Sequence, residues 1–212
     1  LGLFEDEKDS VAITLSTSVT SLDEDDNQTI TITATLEKAA TTAITLDFSP
    51  TGSATEGTDY TTINSISISP GDLTATTEFT LTDDSIYEGD ETISLTVNQA
   101  SSTGDFKITS LSTSITIVEN ESAPVVTLST SATSIAEDAG SSLTITATIS
   151  QVADEDVTVS IATAGTALEG TDYSTISDIT VSAGSTTGTA SLTPTDDNIF
   201  EADETAIVSI SS

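Results

Sequence analysis

The sequence predicts an all-β chain of two tandem β-sandwiches, the second of which lacks its last strand. Two observations carry this prediction: apolar residues alternate with Thr and Ser over short segments, and the whole pattern occurs twice in one register. Asp172 follows Asp59 by 113 residues (172 − 59), and Asp196 follows Asp83 by the same interval (196 − 83). A period of this length is too long for a solenoid repeat and is typical of an autonomous sandwich domain.

The first repeat contains seven predicted strands. Their inward residues are apolar and two positions apart, which is the side-chain period of a strand. After a first strand at Ala12 to Ser16, these residues are Ile30 to Leu36, Ile44 to Phe48, Ile66 and Ile68, Phe79 and Leu81, Ile93 to Val97, and Ile115 and Ile117. Thr on the outward faces is favourable in half-buried strands.

The second repeat copies this pattern. Its inward residues are Leu143 to Ile149, Val157 to Ile161, Ile179 and Val181, Leu192, and Val208 and Ile210. Short antiparallel strands with apolar inner faces predict a two-sheet, immunoglobulin-like sandwich in each repeat.

The repeats set the predicted domains at residues 8–121 and 122–212. With one extra residue allowed before the first strand, the opening Leu3-Phe4-Glu5-Asp6-Glu7 matches the run from Ile117 to Glu121. Residues 1–7 are therefore the end strand of a preceding repeat or a strand for a neighbour. Because Ser212 aligns with Gln99, the second sandwich stops before its seventh strand, and we expect an open edge beside a hydrophobic groove.

The chain is strongly acidic, with 35 acidic residues, three basic ones and a formal net charge of -32. Nucleic acid is a poor partner, because phosphate binding needs Lys or Arg. No segment approaches the ~20 apolar residues of a membrane span, so membrane insertion is not expected. Without His or Cys, the chain lacks thiol nucleophiles and the usual base for a serine, and we expect no enzyme.

Two acidic clusters, Thr82 to Thr92 and Thr195 to Thr205, suggest a metal. Two carboxylates ~4 Å apart repel by about 4 kcal/mol at an effective dielectric of ~20, so such clusters are costly without a cation or protons. Ca²⁺ takes roughly six to eight oxygen ligands, which flexible carboxylates from several loops supply. The alternative is a solvated surface of an acidic protein.

The recurring runs resemble the Calx-beta domain family. They are Glu-Gly-Thr-Asp-Tyr, Leu-Thr-Asp-Asp-Ser-Ile-Tyr-Glu-Gly-Asp-Glu-Thr and the closing Ile-Thr-Ile-Val-Glu-Asn-Glu. The family is known from the cytoplasmic regulatory loop of sodium/calcium exchangers and from large extracellular and bacterial surface proteins. The resemblance covers the first repeat and all but the last strand of the second, and it implies calcium bound at one end of each sandwich by acids from separate loops.

Carried over to this sequence, the resemblance implies two ligand sets. In the first repeat these are Glu24, Asp59, Asp83, Asp84, Glu88, Glu91, Glu119 and Glu121. In the second they are Glu137, Asp172, Asp196, Asp197, Glu201 and Glu204. The second set is incomplete, because its closing acids would lie beyond Ser212.

These features predict a calcium-binding structural or adhesive repeat module of a long extracellular or cell-surface protein. Calcium would stiffen the junction at Glu119 to Glu121, and the partners would be neighbouring repeats or other copies of the chain. Two alternatives remain open: an intracellular calcium-sensing module, and a filament subunit in which residues 1–7 complete a neighbour's second sandwich. Ser/Thr richness, scarce lysine and repetition favour the extracellular module.

Overall fold

The computed structural model describes residues 11–101, 106–108 and 112–211, and it divides into two compact units. The first unit runs to Asp84 and continues from Gly89 to Asn120, and the second contains Ser85–Glu88 and the chain from Glu121 onward. Residues 1–7, predicted as an end strand or donor strand, lie outside the described residues. Within the described ranges, no helix is long and apolar enough to cross a membrane.

The first unit is a sandwich of two sheets. Its strands are β1 (Val11–Thr17), β2 (Ser21–Asp23), β3 (Thr29–Leu36), β4 (Ile44–Gly52), β5 (Ile66–Ile68), β6 (Thr74–Thr80), β7 (Glu91–Ser101), β8 (Phe106–Ile108) and β9 (Ser112–Val118). One sheet has the order β6-β3-β1-β8 and the other β2-β9-β7-β4-β5. The predicted all-β sandwich is confirmed.

Two short strands, β2 and β8, were not among the seven predicted strands. Each has three residues and pairs in parallel, β2 with β9 and β8 with β1. Ser21-Leu22-Asp23 has a single apolar residue and therefore no alternation to indicate a strand, so only its pairing with β9 identifies β2.

The core of the first unit lies between the two sheets, where most inward residues of the predicted pattern are buried, while Phe48 and Leu81 are half-buried. Ile32 of β3, Leu46 of β4, Ile93 of β7 and Ile115 of β9 have no exposed surface. Full burial of each such side chain stabilises the fold by about 1.5–3 kcal/mol.

The second unit repeats the strand order. After β10 (Val126–Thr130) and a short 3-10 helix (Glu137–Ala139) come β11 (Leu143–Ile149), β12 (Val157–Val159), β13 (Ile161–Gly165), β14 (Ile179–Val181), β15 (Thr187–Leu192) and β16 (Ala206–Ile210). One sheet has the order β10-β11-β15, and the other side consists of the pairs β12-β14 and β13-β16. Within this unit Tyr87 also forms an isolated bridge with Ala153.

The prediction of a single strand from Val157 to Ile161 was wrong. The segment divides at Ser160 into β12 and β13. Ser160 is equivalent to Asp47 (160 − 113), where the β4–β7 register shifts between Asp47 and Phe48. The first unit absorbs this irregularity as a bulge in a continuous strand, whereas in the second the Asp178 carboxylate accepts the Ile161 N–H, at 2.8 Å.

One edge of β16 is open. In the part of the second unit that the structure describes, β16 pairs with β13 and with no other strand. Its counterpart β7 lies between β4 and β9, which buries Val97, whereas the equivalent Ile210 is 42% exposed. Among the described residues, this pairing leaves apolar surface on β16 uncovered.

Candidate metal sites

An acidic turn precedes a core tyrosine in both units. Asp59 is buried, and its Oδ2 accepts the N–H of Thr55 at 2.5 Å. In the second unit the Oδ2 of Asp172 accepts the N–H of Leu168 at 2.6 Å. The same turn thus fixes one carboxylate oxygen of the equivalent aspartate in each repeat, which orients the acid before any ion binds.

The tyrosine after this aspartate anchors the loop to the core. Tyr60 is buried and packs edge-on against Phe79, with ring centroids 5.8 Å apart. Burial, and then the negative charges of Glu56 and Asp59, raise the pKa of the Tyr60 hydroxyl. The side chain is part of the packing beneath the acidic turn.

A close backbone approach fixes the start of β7. Gly52 has a φ of +135°, and a Cβ there would lie 2.0 Å from the carbonyl oxygen of Thr92, next to Glu91. Gly165 repeats the arrangement with a φ of +121°, since a Cβ there would lie 2.0 Å from the carbonyl oxygen of Thr205, next to Glu204. Only glycine fits either position, and each holds an acidic residue at the head of its strand.

The first unit gathers predicted ligands from separate loops. Carboxylate oxygens of Glu24 lie within 4.8 Å of those of Asp84 and of Glu119, and oxygens of Asp59 and Glu91 lie within the same distance of each other. Glu24, Asp59 and Glu91 are only 5%, 6% and 9% exposed. Charged groups buried at this density require compensation by a counter-charge, a proton or a metal.

The β2–β9 pairing explains why Glu24 meets Glu119. The Glu24 N–H donates to the Val118 carbonyl at 3.0 Å, directly after the parallel pair. The Glu119 N–H donates to Asp90 Oδ1 at 3.1 Å, and its Oε2 accepts the Gly89 N–H at 2.7 Å. Two elements far apart in sequence therefore hold the two acids together.

Asp90 was not among the predicted site residues, although its contact fixes the backbone at Glu119. Its position inside the acidic cluster Thr82 to Thr92 is the sequence signal that could have identified Asp90 as a site residue. Asp83, a predicted ligand, is exposed and accepts a hydrogen bond from the Asn120 side-chain amide at 3.3 Å. The remaining predicted ligands, Glu88 and Glu121, are half-buried and lie in segments that group with the second unit.

The second unit brings three predicted ligands together. Asp172, Glu201 and Glu204 each offer a carboxylate oxygen within 4.8 Å of the others. Asp172 is half-buried, and both glutamates are exposed. Desolvation, and then the charge of Asp172, raise the pKa of Glu201 and of Glu204.

The other predicted ligands of the second unit stand outside this group. Glu137 begins the 3-10 helix, is exposed, and accepts the Asp197 N–H at 3.1 Å. The Asp197 Oδ1 accepts the Ile199 N–H at 2.6 Å, and Asp196 is exposed. These contacts order the loop without placing its acids against Asp172.

Both acid groups consist of oxygen donors only. Carboxylates in flexible loops suit the high and irregular coordination of Ca²⁺ better than the strict octahedron of Mg²⁺. Soft or borderline metals favour thiolate and imidazole ligands, and the chain has no Cys or His. A hard cation is therefore the ion that these residues fit.

A family model described as the Calx-beta domain matches residues 6–121 and again residues 119–212. The chain is similar to the crystal structure of CBD12 from CALX1.2, with 18% identity over 84% of this chain and 73% of that chain and a TM-score of 0.42. The chain is also similar to the crystal structure of the calcium binding domain CBD12 of CALX1.1, with 16% identity over 89% of this chain and 76% of that chain and a TM-score of 0.42. A third similar structure is that of the Yersinia pseudotuberculosis adhesin InvE, with 14% identity over 86% of this chain and 51% of that chain and a TM-score of 0.37.

A search of curated proteins gave no significant match. The two family matches together span residues 6–212 and coincide with two β-sandwiches that repeat the same acidic motifs. The chain therefore belongs to the Calx-beta family, of which it carries two domains in tandem.

Proposed function

We propose that the chain is a calcium-binding structural or adhesive module of a long extracellular or cell-surface protein. One observation carries the proposal: three acids of the first unit, Glu24, Asp59 and Glu91, are buried in a protein with only three basic side chains. A cation from solution would offset the cost of burying these negative charges.

A binding role fits these acids better than a catalytic one. The equivalent aspartate of each unit, Asp59 or Asp172, is held by the same local turn, which is the behaviour of a repeated structural feature. The chain also has no His or Cys to act as a base, nucleophile or thiol. The negative charge of -32 favours cations as ligands and disfavours nucleic acid.

Calcium would also stiffen the junction between the domains. Glu119 contributes to the acid group of the first unit, and the chain enters the second unit two residues later. An ion held by Glu119 restrains the segment that joins the domains. Small-angle scattering should give a larger maximum dimension in calcium than in EGTA, and equal dimensions in the two would refute the stiffening.

Thermal unfolding tests calcium binding itself. At free calcium ~100-fold above the dissociation constant, each site adds about 2.7 kcal/mol of stability. The melting temperature of the intact chain should rise in calcium compared with EGTA, and the rise should shrink in Glu24→Gln with Asp59→Asn. Asp23→Asn, an exposed change beside Glu24, is the matched control and should keep the rise. An unchanged melting temperature in calcium would refute the proposal.

A filament subunit built by head-to-tail strand complementation is a second candidate. Among the described residues, β16 pairs only with β13, and a strand edge without a partner can accept a strand from another chain.

A further inference from the structure

The loop that precedes β7 fixes Glu119, the residue that follows β9 in the first unit. The Glu119 Oε2 accepts the N–H of Gly89 at 2.7 Å, and the Glu119 N–H donates to the Oδ1 of Asp90 at 3.1 Å. Gly89 therefore holds the side chain of Glu119, while Asp90 holds its backbone. We call these two reciprocal hydrogen bonds the Glu119 clasp.

The Glu119 clasp continues the pairing of β7 with β9 beyond the last paired residues. Glu91 is opposite Ile117 in that antiparallel pair, so two further steps set Gly89 opposite Glu119. Past the end of the ladder, carboxylate oxygens accept the two N–H groups in place of backbone carbonyls. The clasp thus ties down the end of β9, because the ends of elements are where local opening costs least.

The clasp also holds Glu119 against electrostatic repulsion. Carboxylate oxygens of Glu119 and Glu24 lie within 4.8 Å of each other, and Glu24 is buried. Without a cation two like charges at this distance repel, and an untethered glutamate would turn toward solvent. A carboxylate has about four lone-pair sites, so the hydrogen bond from Gly89 leaves lone pairs of Glu119 available to an ion.

Asp90 acts on this site from outside it. Its side chain is exposed, and among the described residues Asp90 belongs to none of the acid groups whose oxygens lie within 4.8 Å of one another. Glu119 does belong to such a group. Asp90 thus contacts the backbone of a candidate ligand without being placed among the ligands itself.

We propose that Asp90 is a positioning residue that holds Glu119 in place for calcium and thereby raises the calcium affinity of the first unit. This role rests on the proposed function, since it concerns the same site. Fixing a ligand before the ion arrives reduces the conformational freedom that binding must remove. Loss of the hydrogen-bonding partner of a metal ligand typically weakens metal binding by roughly 10- to 100-fold.

Calcium titration of full-length variants by calorimetry tests the role. All chains, including the parent, carry Glu201→Gln and Glu204→Gln, so that the isotherm reports on the first unit. Asp90→Ala removes the acceptor and should weaken calcium binding about tenfold, because Gly89 still holds the carboxylate. Asp90→Asn keeps an oxygen acceptor without the charge and should recover most of the affinity. Asp203→Ala removes the equivalent exposed acid of the second unit (203 − 113) and should bind like the parent.

Hydrogen exchange in EGTA measures the clasp without calcium. The Glu119 amide should exchange several-fold faster in Asp90→Ala than in the parent, and Asp90→Asn should restore its protection. Melting temperatures in EGTA show whether each variant is folded. If Asp90→Ala is unfolded, Asp90→Leu takes its place, because leucine is close to asparagine in size and has no acceptor.

The outcomes separate the positioning role from the proposed function. Equal calcium affinity of Asp90→Ala and the parent would overturn the positioning role and leave the proposed function standing. Equal losses in Asp90→Ala and Asp90→Asn would also overturn it, because Asp90 would then act through its charge, as a ligand does. A parent that binds no calcium, even with the unmutated second unit, would overturn the proposed function and the affinity role with it.

Discussion

The two domains carry the same acidic motifs at an interval of 113 residues (172 − 59), but only in the first are some of these acids fully buried. Glu24 and Glu91 are buried, whereas the equivalent Glu137 and Glu204 are exposed. The difference is the closing strand: β9 pairs with β2 and β7 in the first unit, and among the described residues nothing pairs with that edge of β16 in the second. In the first unit, the burial of Glu24 and Glu91 accompanies the pairing of β9 with β2 and β7.

The largest expected effect is a difference in the stability cost of a truncated core side chain between β7 and its counterpart β16. Leu95 has no exposed surface, and Leu95→Ala should cost about 2–5 kcal/mol through lost burial and a residual cavity. The equivalent Val208 is only half-buried, so Val208→Ala should cost less, about 1 kcal/mol. Urea unfolding, with hydrogen exchange to follow each strand, measures both. Equal losses would mean that the missing strand leaves β16 no less packed than β7.

Substituting a glycine that both domains share at equivalent positions should destabilise the two domains to the same degree. Gly52→Ala and Gly165→Ala each force a Cβ to 2.0 Å from a carbonyl oxygen, and we expect each to cost roughly 3 kcal/mol or more. The control is Gly71→Ala, because Gly71 has a φ of +91° with nothing within 4 Å of its Cβ position. It isolates the strain of positive φ, about 1 kcal/mol. Urea midpoints for the three variants should separate the clash from the strain.

Alternation predicted the long strands because a buried strand has a local period of two, and Ile30 to Leu36 is a clear example. The burial of Glu24 could not be predicted in this way. It depends on a parallel pair between β2 and β9, whose partners Leu22 and Ile117 are 95 residues apart (117 − 22). The split at Ser160 also escaped prediction, because Val157, Val159 and Ile161 keep the strand period across it.

The smallest expected effect is a pH dependence confined to the second unit. The Thr163 hydroxyl and then the Ile176 N–H donate to Glu169, which lowers the pKa of its carboxyl. A carboxyl with a lowered folded pKa stabilises the fold above its unfolded pKa, and this stability is lost as pH falls through the folded pKa. Glu169→Gln should therefore flatten the fall in the melting temperature of the second unit below about pH 4.5.

The control for Glu169 is its counterpart in the first unit. Glu56 is exposed and occupies the same motif position (169 − 113). Glu56→Gln makes the same substitution in the first unit, so it measures how far replacing one acid by its amide moves the pH dependence of the melting temperature by itself. If both variants shift it alike, the two hydrogen bonds to Glu169 do not control the titration.

A crystal structure of the chain grown in calcium tests most directly whether the buried acids of the first unit form a metal site. We expect anomalous density for an ion bonded at about 2.3–2.6 Å to carboxylate oxygens that include those of Glu24 and Glu119. We expect weaker density beside Glu201 and Glu204, which are exposed. Buried acids of the first unit that contact only water or lysine at saturating calcium would contradict the proposed calcium site.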